Sequence, residues 1–266
     1  MPHVFANGIQ LAYERSGRGD PVLMIMGQAA GGNVWSMYQV PALAKAGYEV
    51  ITFDNRGMPP SDVPPGDYSL ADLVTDTEQL IEALGLGPCR LVGASLGAAI
   101  ATELAVKRPD LVICCVLMAM RARTDAFRQA LSDGAKELAD GGVDLPPVYA
   151  ATNSVLHMFS PATLNDEKVV SMWLDLYEMS ARRKAARGQN AIDLTTDRRD
   201  PLRAVPVPCR VIGFANDVTC PPHLCAEAAD VIPDCDYIEI DSCAHSGYLE
   251  RPEEVNAAII EFLLKN

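Results

Sequence analysis

The sequence is short of positive charge. Its 266 residues include 22 Lys and Arg against 35 Asp and Glu, which gives a formal net charge of −13. Binding of nucleic acid needs clustered basic side chains that neutralise phosphates, so this composition argues against such a partner. One basic cluster, ARRKAARG at 181–188, lies in a helical pattern. We expect it to form a solvated helix face, with contact to an acidic substrate or carrier as the alternative.

Long apolar runs and targeting patterns are also missing. No apolar stretch reaches the roughly 20 residues of a membrane-spanning helix, so no membrane partner is expected. The opening segment MPHVFANGIQLAYERSG has no charged stretch followed by an apolar run, and therefore does not resemble a signal peptide. These absences predict a cytoplasmic protein.

The eight cysteines form no C-x-x-C pair, and several lie inside apolar runs, such as Cys114 and Cys115 in LVICCVLM. Reduced thiols in a core are the expected state. A disulfide is the alternative in the C-terminal part, which contains Cys220, Cys225, Cys235 and Cys243. No metal is predicted, because Cys220 and the nearby His223 would need further ligands.

Short β-rich runs alternate with helical patterns along most of the chain. The predicted strands are IQLAYERSG, PVLMIMG, YEVITFD, CRLVGA, VICCVLMA, CRVIGFA and DYIEID. Several are apolar throughout, as expected for strands covered on both faces of a parallel sheet. We therefore predict an α/β fold with a mostly parallel, doubly wound sheet. The first strand is more polar, and we expect it at an antiparallel edge.

Residues 122–200 break this alternation with consecutive helical patterns and no predicted strand. We interpret them as a helical cap inserted into an α/β core formed by residues 1–121 and 201–266. Ligands in open α/β sheets bind outside the carboxyl ends of the strands. A cap at that end would cover the functional site.

Ser95 stands between an apolar strand and a helix, in the segment LVGASLG at 91–97. Gly93 and Gly97 lack Cβ atoms and allow strand and helix to approach closely, so the turn exposes the Ser95 hydroxyl above the sheet. The backbone N–H of Leu96 lies at the helix N-terminus, where it can stabilise an oxyanion beside Ser95. The pattern predicts a serine nucleophile, with a plain strand–helix turn as the alternative.

A serine nucleophile needs a base, and the base needs an orienting acid. Of the four histidines, His245 is the candidate base because it follows the last predicted strand and precedes the last helical pattern. Asp217, directly after the apolar strand CRVIGFA, is the candidate acid. The alternatives are a structural loop role for His245 and an Asx turn or helix cap for Asp217.

Five segments resemble the α/β-hydrolase superfamily in order and spacing. They are IMGQAAGGNVW, GYEVITFDNRGMPPSD, LVGASLGAAIATELAVKRPD, CRVIGFANDVTCPP and CAHSGYLERPEEVNAAIIEFL. The resemblance covers nearly the whole chain except the insertion. It is to the branch of small esterases, cofactor-free haloperoxidase-like enzymes and aclacinomycin-methylesterase-like proteins. It implies the α/β-hydrolase fold and a catalytic triad of Ser95, Asp217 and His245 in the family's chain order.

The resemblance also implies a second oxyanion donor, in the loop after the family's third strand. The family usually has His-Gly-x there, and this chain has Met26-Gly27-Gln28. The backbone N–H of Gln28 therefore matches the donor position, and some relatives of the methylesterase kind also carry Met-Gly. Asp54 and Arg56 match a family turn, and we predict that they fix this turn and take no part in catalysis.

These residues predict a serine hydrolase that cleaves a carboxylic ester, thioester or lactone through an acyl-enzyme, without metal or organic cofactor. The resemblance suggests natural-product metabolism as its setting. Two alternatives stay open. One is a non-hydrolytic enzyme of the same fold (a lyase, cyclase, epimerase or acyltransferase), and the other is a ligand-binding receptor with a residual triad.

The expected partner is a small-molecule apolar acyl substrate. Met158, Trp173 and Tyr177 of the insertion can line an apolar pocket, and Gly27 is predicted to contact the substrate from the oxyanion loop. The alternative for the three insertion residues is that they only pack the cap onto the core. A homo-oligomer remains open.

Overall fold

The computed structural model describes residues 1–183 and 187–266, and its centre is an eight-stranded sheet. The strands are β1 His3–Ala6, β2 Ile9–Gly17, β3 Asp20–Ile25, β4 Tyr48–Phe53, β5 Cys89–Ala94, β6 Val112–Met118, β7 Cys209–Phe214 and β8 Cys235–Ile240. Their order in the sheet is β1-β2-β4-β3-β5-β6-β7-β8. All pairs among β3 to β8 are parallel, and β2 pairs antiparallel with β1 and β4. The predicted mostly parallel sheet is confirmed.

One detail of the strand prediction is wrong. The segment IQLAYERSG forms β2 and runs antiparallel as predicted, but the edge of the sheet is β1. A two-residue turn of Asn7 and Gly8, with φ of 46° and 79°, joins β1 to β2. Asn-Gly favours such hairpins because both turn residues need positive φ. That signal is present in the sequence and places one more strand before β2.

Helices occupy the segments between the strands. They are α1 Gln39–Lys45, α2 Leu70–Leu84, α3 Leu96–Lys107, α4 Ala126–Asp140, α5 Pro147–Met158, α6 Pro161–Leu164, α7 Glu167–Arg183, α8 Arg199–Leu202, α9 Pro222–Val231, α10 Gly247–Glu250 and α11 Pro252–Leu263. Short 3₁₀ helices cover Gly32–Met37, Pro109–Leu111 and Arg187–Ala191. Each helical pattern predicted between strands coincides with one of the longer helices. Among the described residues, none of these helices combines the length and the apolar character needed to cross a membrane.

The core lies against the central strands. Every residue of β7 is buried, and in β5 only Arg90 is partly exposed. Neighbouring residues of a strand point to opposite faces, so continuous burial means that both faces are covered. The continuous apolar runs of these strands therefore follow from their central position, and the carboxyl ends of β5, β7 and β8 meet at one edge.

The described residues between β6 and β7 form helices and no strand, as predicted for the insertion. Helices α5 and α7 pack against each other, and the Phe159 ring stacks on Trp173 with centroids 4.7 Å apart. The division into a core and a cap domain at 122–200 stays a prediction. The side chains at 182–187, which include most of the predicted basic cluster, lie outside the described residues.

Candidate active site

Ser95 occupies a strained turn between β5 and α3. Its φ is 53° and its ψ is −115°, and its N–H donates to the Met118 carbonyl at 2.9 Å. Such a backbone conformation costs a non-glycine residue about 1–3 kcal/mol and is typical of functional sites. A Cβ on Gly93 would overlap the carbonyl of Gly97, and a Cβ on Gly97 would overlap the carbonyl of Ile25. The predicted close approach at both glycines is confirmed.

Asp217 and His245 form a buried pair after β7 and β8. His245 Nδ1 lies 2.8 Å from Asp217 Oδ2, and the Asp217 side chain is fully buried. The other carboxylate oxygen, Oδ1, accepts the backbone N–H groups of Thr219 at 2.7 Å and Cys220 at 2.8 Å. The Asx-type turn expected as the alternative is present: one oxygen closes it, and the turn aims the other oxygen at the imidazole. A catalytic role of Asp217 stays a prediction.

Ser95 and His245 lie at the same edge, since β5 and β8 run parallel and both residues follow the carboxyl ends of those strands. The structure has no hydrogen bond between the Ser95 hydroxyl and the His245 imidazole. Catalytic hydrogen bonds are often long without substrate and tighten when it binds. Of the two links that a triad requires, the one between Asp217 and His245 is formed.

The loop Met26-Gly27-Gln28 lies against Ser95. A Cβ on Gly27 would be 3.3 Å from the Ser95 Cβ, so glycine is what permits this close packing. Leu96 is the first residue of α3, where backbone N–H groups have no intrahelical acceptor. Within residues 1–183 and 187–266, the N–H groups of Gln28 and Leu96 donate to no protein acceptor. Both are therefore free to bind an oxyanion.

Met26, where the family commonly has histidine, is held from two sides. Its carbonyl accepts the Asn55 side-chain amide at 3.1 Å, and its Sδ accepts the hydroxyl of Tyr248 at 4.0 Å. Met26 itself is 1% exposed. The Tyr248 ring in turn packs on Trp35, with centroids 4.9 Å apart. A buried apolar side chain thus supports the loop without a histidine.

The turn after β4 is fixed by Asp54 and Arg56, as predicted. Asp54 Oδ1 accepts the Gly32 N–H at 2.7 Å, and burial raises the pKa of the Asp54 carboxyl above its ordinary value. Arg56 forms a two-pronged ion pair with the buried Asp76, with both N–O distances at 2.5 Å. Because the Arg56 carbonyl also accepts the side-chain amide of Gln189 at 2.8 Å, this turn touches the 3₁₀ helix of the insertion.

Of the three predicted pocket residues of the insertion, Met158 and Tyr177 contact Ser246, in the loop that contains His245. The Met158 carbonyl accepts the Ser246 N–H at 2.9 Å. Burial raises the pKa of Tyr177 to about 12, against the opposing effect of its hydrogen bond with Ser246. Trp173 stacks on Phe159. The contacts of Met158 and Tyr177 show packing of the insertion onto the core, and that of Trp173 lies within the insertion. A role of these residues or of Gly27 in substrate binding stays a prediction.

Sequence reasoning did not find Glu250 and Gln189, which hold the two loops of the site. Glu250 Oε1 accepts the Ser160 N–H at 3.0 Å, the Ser160 hydroxyl at 2.6 Å and the Thr163 hydroxyl at 2.6 Å. Its Oε2 accepts the Ala244 N–H at 2.7 Å, directly before His245. No strand-end signal marks either residue, because each acts across a long separation in sequence.

Gln189 connects the insertion to the oxyanion loop. Its Oε1 accepts the Ala29 N–H at 2.8 Å, and Ala29 has a φ of 57°. The Gln28 side chain donates to the Gln189 carbonyl and to Asn190 Oδ1, both at 3.2 Å. Gln189 itself is completely buried. The backbone that presents the Gln28 N–H is thus held by three hydrogen bonds to this 3₁₀ helix.

A small cavity of about 40 Å³ lies beside Ser95 and follows α3 past Ala99 and Thr102. Its wall also contains Arg121, which lies three residues after the last residue of β6. This residue was missed from the sequence, although its position after a strand is a usable signal. We call this space the Ser95 cavity. A larger open depression of about 610 Å³ between Phe5 and α2 contains none of the predicted site residues.

All eight cysteines are free thiols.

Ligand atoms of Asp217, Cys220 and His245 lie within 4.8 Å of one another, the spacing of a metal site. Burial raises the pKa of the Cys220 thiol to about 12, and the Asp217 oxygens are already hydrogen-bonded. A protonated thiol and a carboxylate that already accepts hydrogen bonds are poor metal ligands. These three side chains therefore fit the hydrogen-bonded pair of Asp217 and His245 better than they fit a metal site.

Known proteins resemble this chain over nearly its whole length. A protein of Mycobacterium tuberculosis H37Rv named non-heme bromoperoxidase BpoC is 43% identical over 256 residues, covering 96% of this chain and 97% of the relative. Its crystal structure superposes with a TM-score of 0.90 at 42% identity, covering 96% of each chain. A thermophilic esterase from Thermogutta terrifontis is 27% identical, with a TM-score of 0.83 over 100% of this chain and 99% of the esterase.

A second relative, from Azorhizobium caulinodans and named carbamate hydrolase RutD, is 27% identical over 267 residues and 98% of each chain. The sequence profile of the alpha/beta hydrolase family matches residues 17–258, which is most of the chain. The resemblance stated from the sequence, the fold class and the prediction of an enzyme are confirmed. This chain belongs to the alpha/beta hydrolase family.

Proposed function

We propose that the protein is a serine hydrolase that cleaves a carboxylic ester, thioester or lactone through an acyl-enzyme. The observation that carries this proposal is the buried hydrogen bond of 2.8 Å between His245 Nδ1 and Asp217 Oδ2, at the sheet edge where Ser95 occupies its strained turn. Membership of a hydrolase family supports it. A receptor would have no need of an oriented imidazole beside a strained serine.

In the proposed first step the Ser95 hydroxyl attacks the substrate carbonyl, and His245 Nε2 takes its proton. Asp217 accepts the Nδ1–H, which leaves the lone pair on Nε2. The oxyanion accepts the N–H groups of Leu96 and Gln28, and one such donor lowers the barrier by roughly 3–4 kcal/mol. The imidazolium then protonates the leaving group.

In the second step a water molecule replaces the leaving group. His245 removes a proton from this water as its oxygen attacks the acyl carbon. The bond from the acyl carbon to the Ser95 oxygen then breaks, the imidazolium returns its proton to that oxygen, and the acid is released. The hydrogen bond between Ser95 and His245 forms when substrate orders the site. Neither step uses a metal or an organic cofactor. The eight free thiols support the predicted cytoplasmic location.

The names of the relatives favour a second candidate function. The 43% identical relatives are named bromoperoxidases. Hydrogen peroxide in place of water would convert the acyl-enzyme to a peracid, which oxidises bromide. We propose this as a side reaction of the same acyl-enzyme, and bromination that needs both a carboxylic acid and Ser95 would support it.

Active-site labelling tests the main proposal. A fluorophosphonate should label the wild type on Ser95 within minutes, and Ser95→Ala should lose both labelling and at least 1,000-fold of kcat on a panel of simple esters. The matched control is Ser246→Ala, a buried serine beside the imidazole, which should keep the label. Hydrolysis in ¹⁸O-water should place one label in the acid product. Undiminished turnover by Ser95→Ala, or product without label, would refute the mechanism.

A further inference from the structure

The cavity beside Ser95 has room for a short chain only. It runs along the face of α3 formed by Ser95, Ala99 and Thr102, which lie four and then three residues apart and so share one side of the helix. A water molecule needs roughly 10–15 Å³ measured in this way, so about 40 Å³ holds some three groups of that size. His245, the proposed acid for the leaving group, does not line this cavity, so the cavity suits the acyl group better than the leaving group.

Two guanidinium groups interrupt the apolar wall of this cavity. Arg198 is paired with Glu103 of α3. Arg121 has no such partner: no carboxylate of the described residues lies within ion-pair distance of it, and residues 184–186 include no acid. The wall of the cavity therefore carries two positive charges against the single negative charge of Glu103.

The hydrogen bonds of Arg121 leave much of its donor capacity unused. One terminal nitrogen donates to the Thr219 carbonyl at 2.8 Å and lies 3.5 Å from Cys220 Sγ. Its Nε is buried and has no hydrogen-bond partner in the part of the chain that the structure describes. A buried donor without a partner is costly, and a guanidinium without an acid is unexpected in a chain with 13 more acidic than basic residues. A carboxylate matches the planar fork of arginine better than any neutral group.

We propose that Arg121 binds a carboxylate at the far end of the acyl group, so that the substrates are short half-esters, half-thioesters or lactones of dicarboxylic acids. This inference rests on the proposed acyl-enzyme mechanism and deepens it. It departs from the purely apolar acyl group expected from the sequence. The dimensions of the cavity favour an acyl group of about four carbons, with the free carboxylate against Arg121.

Two ethyl esters of the same shape test the proposal. Monoethyl succinate carries a carboxylate where ethyl 4-methylpentanoate carries an uncharged isopropyl group. The wild type should hydrolyse monoethyl succinate with at least tenfold higher kcat/KM. Arg121→Met should lower kcat/KM for monoethyl succinate at least 30-fold and change the value for the neutral ester less than threefold. Arg121→Lys, which keeps the charge, should recover part of the loss.

The matched control is Arg123→Met, because Arg123 is paired with Glu227 and does not line the cavity. It should keep the wild-type preference. An equal loss of kcat/KM for both esters in Arg121→Met would mean that Arg121 only supports the turn at 217–220 through the Thr219 carbonyl. That result would overturn the proposal. So would a wild type that shows no preference for the charged ester.

A binding measurement separates this inference from the mechanism on which it rests. Succinate, but not 4-methylpentanoate, should raise the melting temperature of the wild type by several degrees, and Arg121→Met should abolish the shift. Succinate binding without turnover of either ester would keep the subsite and count against the hydrolase mechanism. Turnover of both esters without succinate binding would support the hydrolase mechanism and count against the carboxylate subsite.

Discussion

The insertion is anchored to the core at two places that use different chemistry. At the histidine loop the anchor is Glu250, whose carboxylate accepts four hydrogen bonds, three from the insertion and one from Ala244. At the oxyanion loop the anchor is Gln189, whose neutral amide accepts from Ala29 and donates to Arg56. The first anchor is a charged group of the core, and the second is an uncharged group of the insertion.

The charged group at one anchor and the neutral group at the other match the charges that develop nearby in the proposed reaction. The Glu250 carboxylate accepts the N–H of Ala244, the residue before His245, and so places a negative charge on the loop where positive charge develops when Ser95 is deprotonated. A carboxylate at the position of Gln189 would instead repel the oxyanion that develops beside the Gln28 N–H. Each loop is therefore held by a group whose charge suits the neighbouring step, and substitutions that exchange or remove these charges test the comparison.

The largest effect is expected from Glu250→Ala. Four donors lose a charged acceptor, so the free energy of unfolding should fall by about 2–4 kcal/mol, measured by urea denaturation. With the segment at Ala244 released, kcat should fall at least tenfold and KM should change little. The stability and kcat of Glu250→Gln should lie between those of the wild type and Glu250→Ala, because the amide would direct N–H groups toward some of the donors. The control Glu253→Ala, at an exposed acid in the next helix, should be neutral. Unchanged stability in Glu250→Ala would refute the anchor.

Gln189→Glu introduces charge at the neutral anchor. The carboxylate would face the Arg56 carbonyl, which needs a donor, and would stand beside the oxyanion loop. At pH 8 kcat should fall about tenfold, because one oxyanion donor is worth 10²–10³ and should be only partly impaired. The protonated carboxyl can donate as the amide does, so the ratio of variant to wild-type kcat should rise as pH falls. The uncharged Gln189→Leu variant should show no such pH dependence, and a ratio that is flat with pH in Gln189→Glu would contradict the charge argument.

The smallest effect is expected from Thr163→Val, which removes one of the hydroxyl donors to Glu250 and keeps the side-chain shape. The loss of unfolding free energy should be about 0.5–1.5 kcal/mol, with kcat unchanged. In the Glu250→Ala background the same substitution should cost close to nothing, because the shared acceptor is gone. Full additivity of the two substitutions in denaturation experiments would show that this hydrogen bond contributes nothing.

The fold could be predicted from the sequence because burial on both faces leaves continuous apolar strands such as VICCVLMA. Ser95, Asp217 and His245 could be predicted because a parallel sheet brings its strand ends together at one edge. The same rule would have found Arg121 after β6. The strand β1 was missed because its four residues are too few to show an alternating pattern. Its remaining signal is the Asn7-Gly8 turn that follows it.

Glu250 and Gln189 could not be predicted in this way. Glu250 bonds to Ser160 across 90 residues, and Gln189 bonds to Ala29 across 160 residues. No periodicity links such pairs, since their meeting depends on how the insertion folds back onto the core. Glu250 stands in a segment that reads as the start of a helix, and Gln189 stands in a polar stretch without pattern. Their partners become visible only in three dimensions.

The missing side chain at Gly97 has a wider consequence. Because the first turn of α3 rests directly on the backbone of Ile25 and Met26, the N–H groups of Leu96 and Gln28 belong to one rigid block. Their spacing is set before the helices of the insertion are in place. Evolution could thus exchange those helices, and with them substrate preference, while the machinery that steadies the transition state keeps its dimensions.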